Sequence, residues 1–327
     1  MKRNVLLAIF LISIFILPVL NVHAEVELEH KNEDYELLGS ITVGKYNADY
    51  KSIQEAIDNA ESGSTIYVKT GTYSEIISIN KKISLIGENK ENTIINPTST
   101  RNSYALRIRI SGVKISGFSI NNKGPGLYTT GFKISAPKTT IENCNFYDTP
   151  IGIAVWTSKN TISNCKFWGC EDEGIALLGS ISNECNNNEI TNCEFYDNCD
   201  GIELQYSSGN TISDCIFYDN SHCGIDAIGS SNNENLITNC KIYDNEAYGI
   251  YLSRSSYNQI LDCSFSNNDD GNVIMTAGSV NNEINSQESQ NEVQTNSHNN
   301  FRNRIQYFLS FFRNSKMRLI NFFDAIY

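Results

Sequence analysis

Thr161-Ile162-Ser163-Asn164-Cys165-Lys166-Phe167-Trp168-Gly169 is one copy of a motif that the chain repeats. Thr140-Ile141-Glu142-Asn143-Cys144-Asn145-Phe146-Tyr147-Asp148 precedes it, and Ile190-Thr191-Asn192-Cys193-Glu194-Phe195-Tyr196-Asp197 follows. Later copies are centred on Cys215, Cys240 and Cys263, and the intervals between the six cysteines are 21, 28, 22, 25 and 23 residues. A period near 22 with one insertion, close to Cys185, belongs to a solenoid built from stacked coils.

Within each copy the apolar residues alternate in twos, as in Cys165 and Phe167, or Ile175 and Leu177 after Gly174. That is the strand period, not the helical one. The segments are short and punctuated by Gly and Asn, which excludes the helical repeat arrays. The Leu-x-x-Leu-x-Leu frame of leucine-rich repeats is absent too. The pattern predicts an all-β, right-handed parallel β-helix. Alternation aims Ile162, Cys165 and Phe167 inward and Ser163 outward, with Asn164 at a corner that needs left-handed dihedrals. Asn143, Asn192, Asp214, Asn239 and Asp262 take that place in the other coils, where stacking at roughly 4.8 Å allows a hydrogen-bonded ladder. Gly131, Gly152, Gly174, Gly201, Gly224 and Gly249 mark a second recurring bend.

Tyr50 to Ala60 carries a helical stripe of Ile53, Ala56, Ile57 and Ala60. It predicts a helix over 50–62 laid across the first coil to protect an open sheet end. This opening, with Gly63, Thr65-Ile66-Tyr67-Val68, Gly71-Thr72-Tyr73 and Ile83-Ser84-Leu85-Ile86-Gly87, resembles that of the pectate-lyase-like superfamily. The later Gly-Ile-x-Leu and Asn-Cys-x-Phe rungs resemble the NosD-type β-helix, a family named for a periplasmic copper-maturation protein. The resemblance covers residues 50–284 and implies a fold more than an activity.

The flanks differ in character. Lys2 and Arg3, the 16-residue apolar run from Val5 to Leu20 and Val22-His23-Ala24 read as an export signal cleaved after Ala24, which predicts a secreted, periplasmic or cell-surface protein. Residues 25–49 are a lead-in. Residues 285–300, rich in Asn, Gln, Ser and Glu, read as a polar linker, and 301–327 as a basic amphipathic helix with Phe301, Ile305, Phe308, Leu309 and Phe312 on one face. That helix either closes the C-terminal end of the solenoid or contacts an anionic membrane peripherally. Residues 25–300 hold 36 acidic against 18 basic side chains, a balance that repels phosphate backbones and argues against nucleic acid.

Two rows on the outer wall could carry function. Lys133, Ala154 with Trp156, Ala176, Glu203 with Gln205, Asp226, and Tyr251 with Ser253 follow the recurring glycines. In polysaccharide lyases of the superfamily the substrate lies on a comparable face. Glu203 and Asp226 fall on adjacent rungs, close enough for a shared Ca²⁺ or an acid/base pair, with His222 the nearest proton carrier. The acidic turns Glu171-Asp172-Glu173, Asp197 to Asp200 and Asp219 border the same face, and the opposing expectation is that these acids only solubilise the wall. Tyr147, Trp168, Tyr196, Tyr218 and Tyr243 form the second row, which either stacks sugar rings, together with Trp156 and Tyr251, or stacks on itself.

Six of the ten cysteines belong to the inward ladder. Cys170, Cys185, Cys199 and Cys223 sit in turns, where disulfides are expected in an exported protein, Cys199 with Cys223 first. The NosD resemblance offers another reading, in which Cys170, Cys199, His222 and Cys223 hold copper or zinc. An enzyme requires acid, base and cation-binding residues to converge at one place, whereas a binding module requires an extended repetitive row. On the sequence, repetition is the clearer of the two. The expectation is therefore a protein that binds carbohydrate or another cell-envelope partner along its outer face. A lyase, epimerase or hydrolase acting on acidic glycans, and a metal-delivery module, are the alternatives.

Overall fold

The computed structural model describes residues 40–286 except Ser99, Leu127, Glu184, Ser230 and Ala277, together with the backbone of 294–296. The proposed signal, most of the lead-in, most of the linker and the basic helix lie outside the described residues. From Ile41 onward the described residues form a parallel β-solenoid of about ten turns.

Each turn contributes to three walls. A middle coil runs through Thr161–Ser163, Lys166–Trp168 and Glu173–Leu178, and each strand pairs in parallel with its counterparts in the coils on either side. The strands of the third wall form a ten-stranded sheet. Ile141, Ile162, Ile190, Ile212, Ile237 and Ile260 stack in register on the inner side of the first wall. Phe146, Phe167, Phe195 and Phe217 do so on the second, with ring centroids 4.7 to 5.0 Å apart. The six ladder cysteines are buried in this core, as alternation predicts.

The corners explain the motif. Asn143, Asn164, Asn192, Asp214, Asn239 and Asp262 all have φ between 50° and 56°, the left-handed region where Asn and Asp are tolerated. Side-chain hydrogen bonds join Asn192 to Asn164 and Asn239 to Asp214. Two further ladders are buried and were not anticipated. Asn160 donates to Asn188, Asn188 to Asn210, Asn210 to Asn235, Asn235 to Asn258 and Asn258 to Asn282 at 2.9 to 3.1 Å. Asn198, Asn220, Asn245 and Asn268 form the second in the same way. Each oxygen also accepts a backbone N–H from the preceding coil, which satisfies polar groups that water does not reach.

Two expectations change. Five of the recurring glycines lie within the third-wall strands rather than at a bend, Gly224 lies at a bend just before Ile225–Ala227, and none of the six has positive φ. They are required for space: a Cβ on Gly201 would lie 2.5 Å from the Gly224 carbonyl oxygen and 2.6 Å from the Phe217 ring. The N-terminal helix is Ile53–Asn59, seven residues and shorter than 50–62, with Ser52 as N-cap accepting from the Glu55 N–H. Ala60 already has extended dihedrals, so the apolar stripe outlasts the helix by one residue.

Candidate functional site

Strand pairing on the third wall aligns Lys133, Ala154, Ala176, Glu203, Asp226 and Tyr251 in one row, as the sequence predicts. Much of that row is covered. Ala154 and Ala176 pack with Ile151 and Leu178, and Tyr251 packs with Cys223 and Ile274. Tyr251 is therefore not an exposed sugar platform; it is buried and stacked at 5.5 Å on Tyr248. Asp226 is also buried, at 3 % exposure, so it is not a solubilising surface acid.

The acids converge around His222. Glu203 faces Asp226 across one rung, and Glu173 faces Asp200 across the previous one. The turn that carries His222 is built on the coil below: the Ser221 and His222 amides donate to the carbonyls of Asn198 and Cys199, and Asn220 sits in the buried ladder. His222 Nδ1 lies 2.8 Å from Asp200 Oδ1 and 4.0 Å from Asp226 Oδ2. The Cys223 amide donates to the same Asp200 oxygen at 2.8 Å. Asp200, His222, Cys223 and Asp226 each place one ligand-type atom within 4.8 Å of the others.

Burial and like charge set the protonation states. Burial, then Asp226, Asp200 and Asp172, push the Glu203 carboxyl up to about 8. Glu173 rises well above the usual range through burial and then Asp172, Glu203 and Asp200. For His222 burial pulls downward, but Asp200, Asp226 and Glu203 outweigh it and lift the imidazole to about 9. Burial, Asp200 and Asp226 hold the Cys223 thiol up.

Glu203, Asp226 and His222 are thus brought together. Glu173 and Asp200, read from the sequence as acidic turn residues bordering this face, were not assigned to the site because each immediately precedes a recurring glycine read as a bend. The signal was available: Glu173-Gly174, Asp200-Gly201 and Cys223-Gly224 form a column of polar residues one coil apart. Cys170 and Cys199 stand outside the four-residue group, and all ten cysteines are unbridged.

Trp156 lies elsewhere on the wall, 37 % exposed, beside a cavity of about 350 Å³ lined by Tyr104, Tyr128, Lys133, Ile151 and Leu178 among others. Lys133 Nζ lies 5.4 Å from the Trp156 ring centre. Arg107 pairs with Lys133 on the adjacent rung and lies over Tyr104. Burial and then Arg107 hold the Lys133 ammonium below its usual range. Tyr147, Trp168, Tyr196, Tyr218 and Tyr243 form a separate stack with centroids 4.9 to 5.8 Å apart and rings within 12° of parallel. Within that stack the rings face one another.

The family model described as "Right handed beta helix region" matches residues 81–234 and 190–306. No curated protein matches the chain. Among solved structures, the A-module of the Azotobacter vinelandii mannuronan C-5 epimerase AlgE6 superposes with a TM-score of 0.55 at 16% identity, covering 73% of this chain and 82% of that one. ORF18 of Geobacillus virus E2 gives 0.56 at 16% identity over 72% of this chain and 54% of its own, so the chain spans about half of that protein. The enzymatically active domain of bacteriophage CBA120 tailspike protein 2 gives 0.55 at 14% identity, over 71% and 40%. At these identities the likeness is one of fold.

Proposed function

The chain belongs to the right-handed β-helix family, and from that premise we propose that it holds an acidic polysaccharide along its third wall and carries out proton-transfer chemistry on it. Relatives of this fold named for mannuronan epimerisation and tailspike activity support a carbohydrate partner. The carrying observation is convergence: Asp200, Glu203, His222 and Asp226 meet at one place, in line with a cationic and aromatic pocket on the same wall. Lys133 and Glu203 are separated by three rungs, roughly 14 Å along the stack. A polymer lying along the row would set its carboxylates against Arg107 and Lys133 and one ring against Trp156.

Glu203 and His222 are the members of the cluster that reach solvent, and they are the groups assigned to the proton step. Once deprotonated, as Glu203 becomes when pH rises toward about 8, such a group can take the C5 proton of a uronate residue, which leads either to loss of the 4-O substituent, its oxygen leaving with a proton, or to return of a proton on the opposite face. The first outcome is a lyase and the second an epimerase. Ca²⁺ between the polymer's carboxylates and the exposed acids of the wall would ease the meeting of an acidic wall and an acidic polymer. The export signal read at 1–24 would place this work outside the cytoplasm.

The test is incubation with mannuronan and pectate, with and without Ca²⁺. Ultraviolet absorbance detects unsaturated product, and deuterium uptake at C5 is followed by NMR. Turnover by the native chain should fall at least about 100-fold in Glu203→Gln, the range for loss of a general acid or base. It should survive in Tyr196→Ala. If the native chain turns over neither polymer yet retains them, the catalytic part fails and a binding module remains.

A further inference from the structure

Asp200, Cys223 and Asp226 are each more than nine-tenths buried, and His222, whose side chain is 25 % exposed, completes the group. We infer that these four residues form a binding site for a borderline divalent metal ion, with zinc the best match. A nitrogen, a sulfur and two carboxylate oxygens make a donor set that calcium and magnesium, which prefer oxygen alone, do not favour. In a tetrahedral zinc shell the donors sit roughly 3.3 to 3.8 Å apart, given metal–ligand distances of about 2.0 to 2.3 Å. Here they lie within 4.8 Å of one another, so the side chains need to close by about one ångström, a shift within rotamer adjustment.

The surroundings call for positive charge at this point. Glu173 and Glu203 flank the group on neighbouring rungs, so four carboxylates face one imidazole. Buried carboxyls crowded in this way either stay protonated or are offset by a cation, and a divalent ion supplies more charge than a single imidazolium. A separate observation points the same way: Glu173 is 6 % exposed, yet its Oε2 has no hydrogen-bond partner. The close approach of His222 Nδ1 to Asp200 Oδ1, 2.8 Å, places a proton where the metal would enter, and the exposed edge of the imidazole provides the route. The backbone holds the frame, since the Cys223 amide already orients Asp200.

With His222 engaged as a ligand, proton transfer on a polysaccharide falls to Glu203. The metal site does not depend on that reaction. The experiment is titration of the full chain, under reducing conditions, with Zn²⁺ and then with Co²⁺ as an optical probe. One equivalent should bind, and the cobalt form should display a thiolate-to-metal charge-transfer band. Cys223→Ser and His222→Asn should each weaken Zn²⁺ binding by at least about tenfold, while Cys199→Ser should leave it unchanged. Absence of the charge-transfer band at one equivalent, undiminished affinity in Cys223→Ser, or a Cys199–Cys223 disulfide in the protein as isolated would overturn the site. The cobalt spectrum of the native chain decides the matter even if a variant fails to fold. Polymer turnover unaffected by chelator, with no cobalt band, would remove the metal and spare the carbohydrate reading. A cobalt band with neither polymer bound nor turned over would do the reverse.

Discussion

Glu203 and His222 both titrate above their ordinary values, at about 8 and about 9, and their effects on folding have the same sign. For each, the protonated form is favoured by the folded state. The stability it contributes is fully present below the unfolded pKa and is lost as pH rises through the folded one. The melting temperature of chelator-treated protein should therefore fall as pH is raised from about 5 to about 9. Glu203→Gln should flatten the part of that slope below about pH 8. A melting temperature that rises over this interval would mean that the acids are compensated by something other than proton uptake. At this scale the sequence was partly legible. A period of two placed Glu203 and Asp226 on one row, but it could not report that the row is covered, because burial of an outward face depends on turns packed from neighbouring coils. Asp200 and Glu173 were legible only as acidic turn residues beside that row, for a related reason: a glycine needed for space was read as a glycine needed for a bend.

The elements owe their regularity to asparagine as much as to isoleucine. Asn210 donates to Asn235, accepts from Asn188 and is fully buried. Asn210→Ala would strand the Asn188 amide and backbone N–H, each losing an acceptor. A buried polar group left unsatisfied costs about 1 to 3 kcal/mol, so the variant should lose at least that much in a denaturant titration. Substitution of Asn164, at an exposed corner, should cost less. A loss no larger at Asn210 than at Asn164 would show that the buried ladder is not a stabilising element. The recurring Asn-x-Ile and Asp-Asn sequences carried the signal for these ladders. Between strands, however, asparagine is ordinarily a solvated turn residue, and only the stacking of coils turns it into an interior one.

For the whole molecule, coils contact chiefly their neighbours, so stability should be close to a sum of coil and interface contributions. Excising residues 214–238, which spans the interval between equivalent corners Asp214 and Asn239, should leave a folded parallel solenoid of lower stability that lacks His222 and Asp226. Excising 214–225, about half that interval, should not fold, because strands would meet corners. Circular dichroism and hydrogen exchange distinguish the two outcomes, and equal folding of both would contradict the coil as the unit of construction. The stacked parallel coils were legible from the cysteine spacing, since a solenoid repeats its constraints in every coil. The convergent site was legible only in Glu203, His222 and Asp226, because it occurs once.

The outer aromatic stack has an optical consequence. Trp168 lies between Tyr147 and Tyr196 with near-parallel rings, and Tyr218 and Tyr243 extend the column away from it. Excitation absorbed by the tyrosines should drain into the indole, whose excited state is lower in energy. Light absorbed in five coils should then emerge from one of them as tryptophan fluorescence. Loosening of any coil between Tyr147 and Tyr243 would break this antenna and restore tyrosine emission, so the unmodified chain carries its own spectroscopic gauge of whether its turns remain stacked.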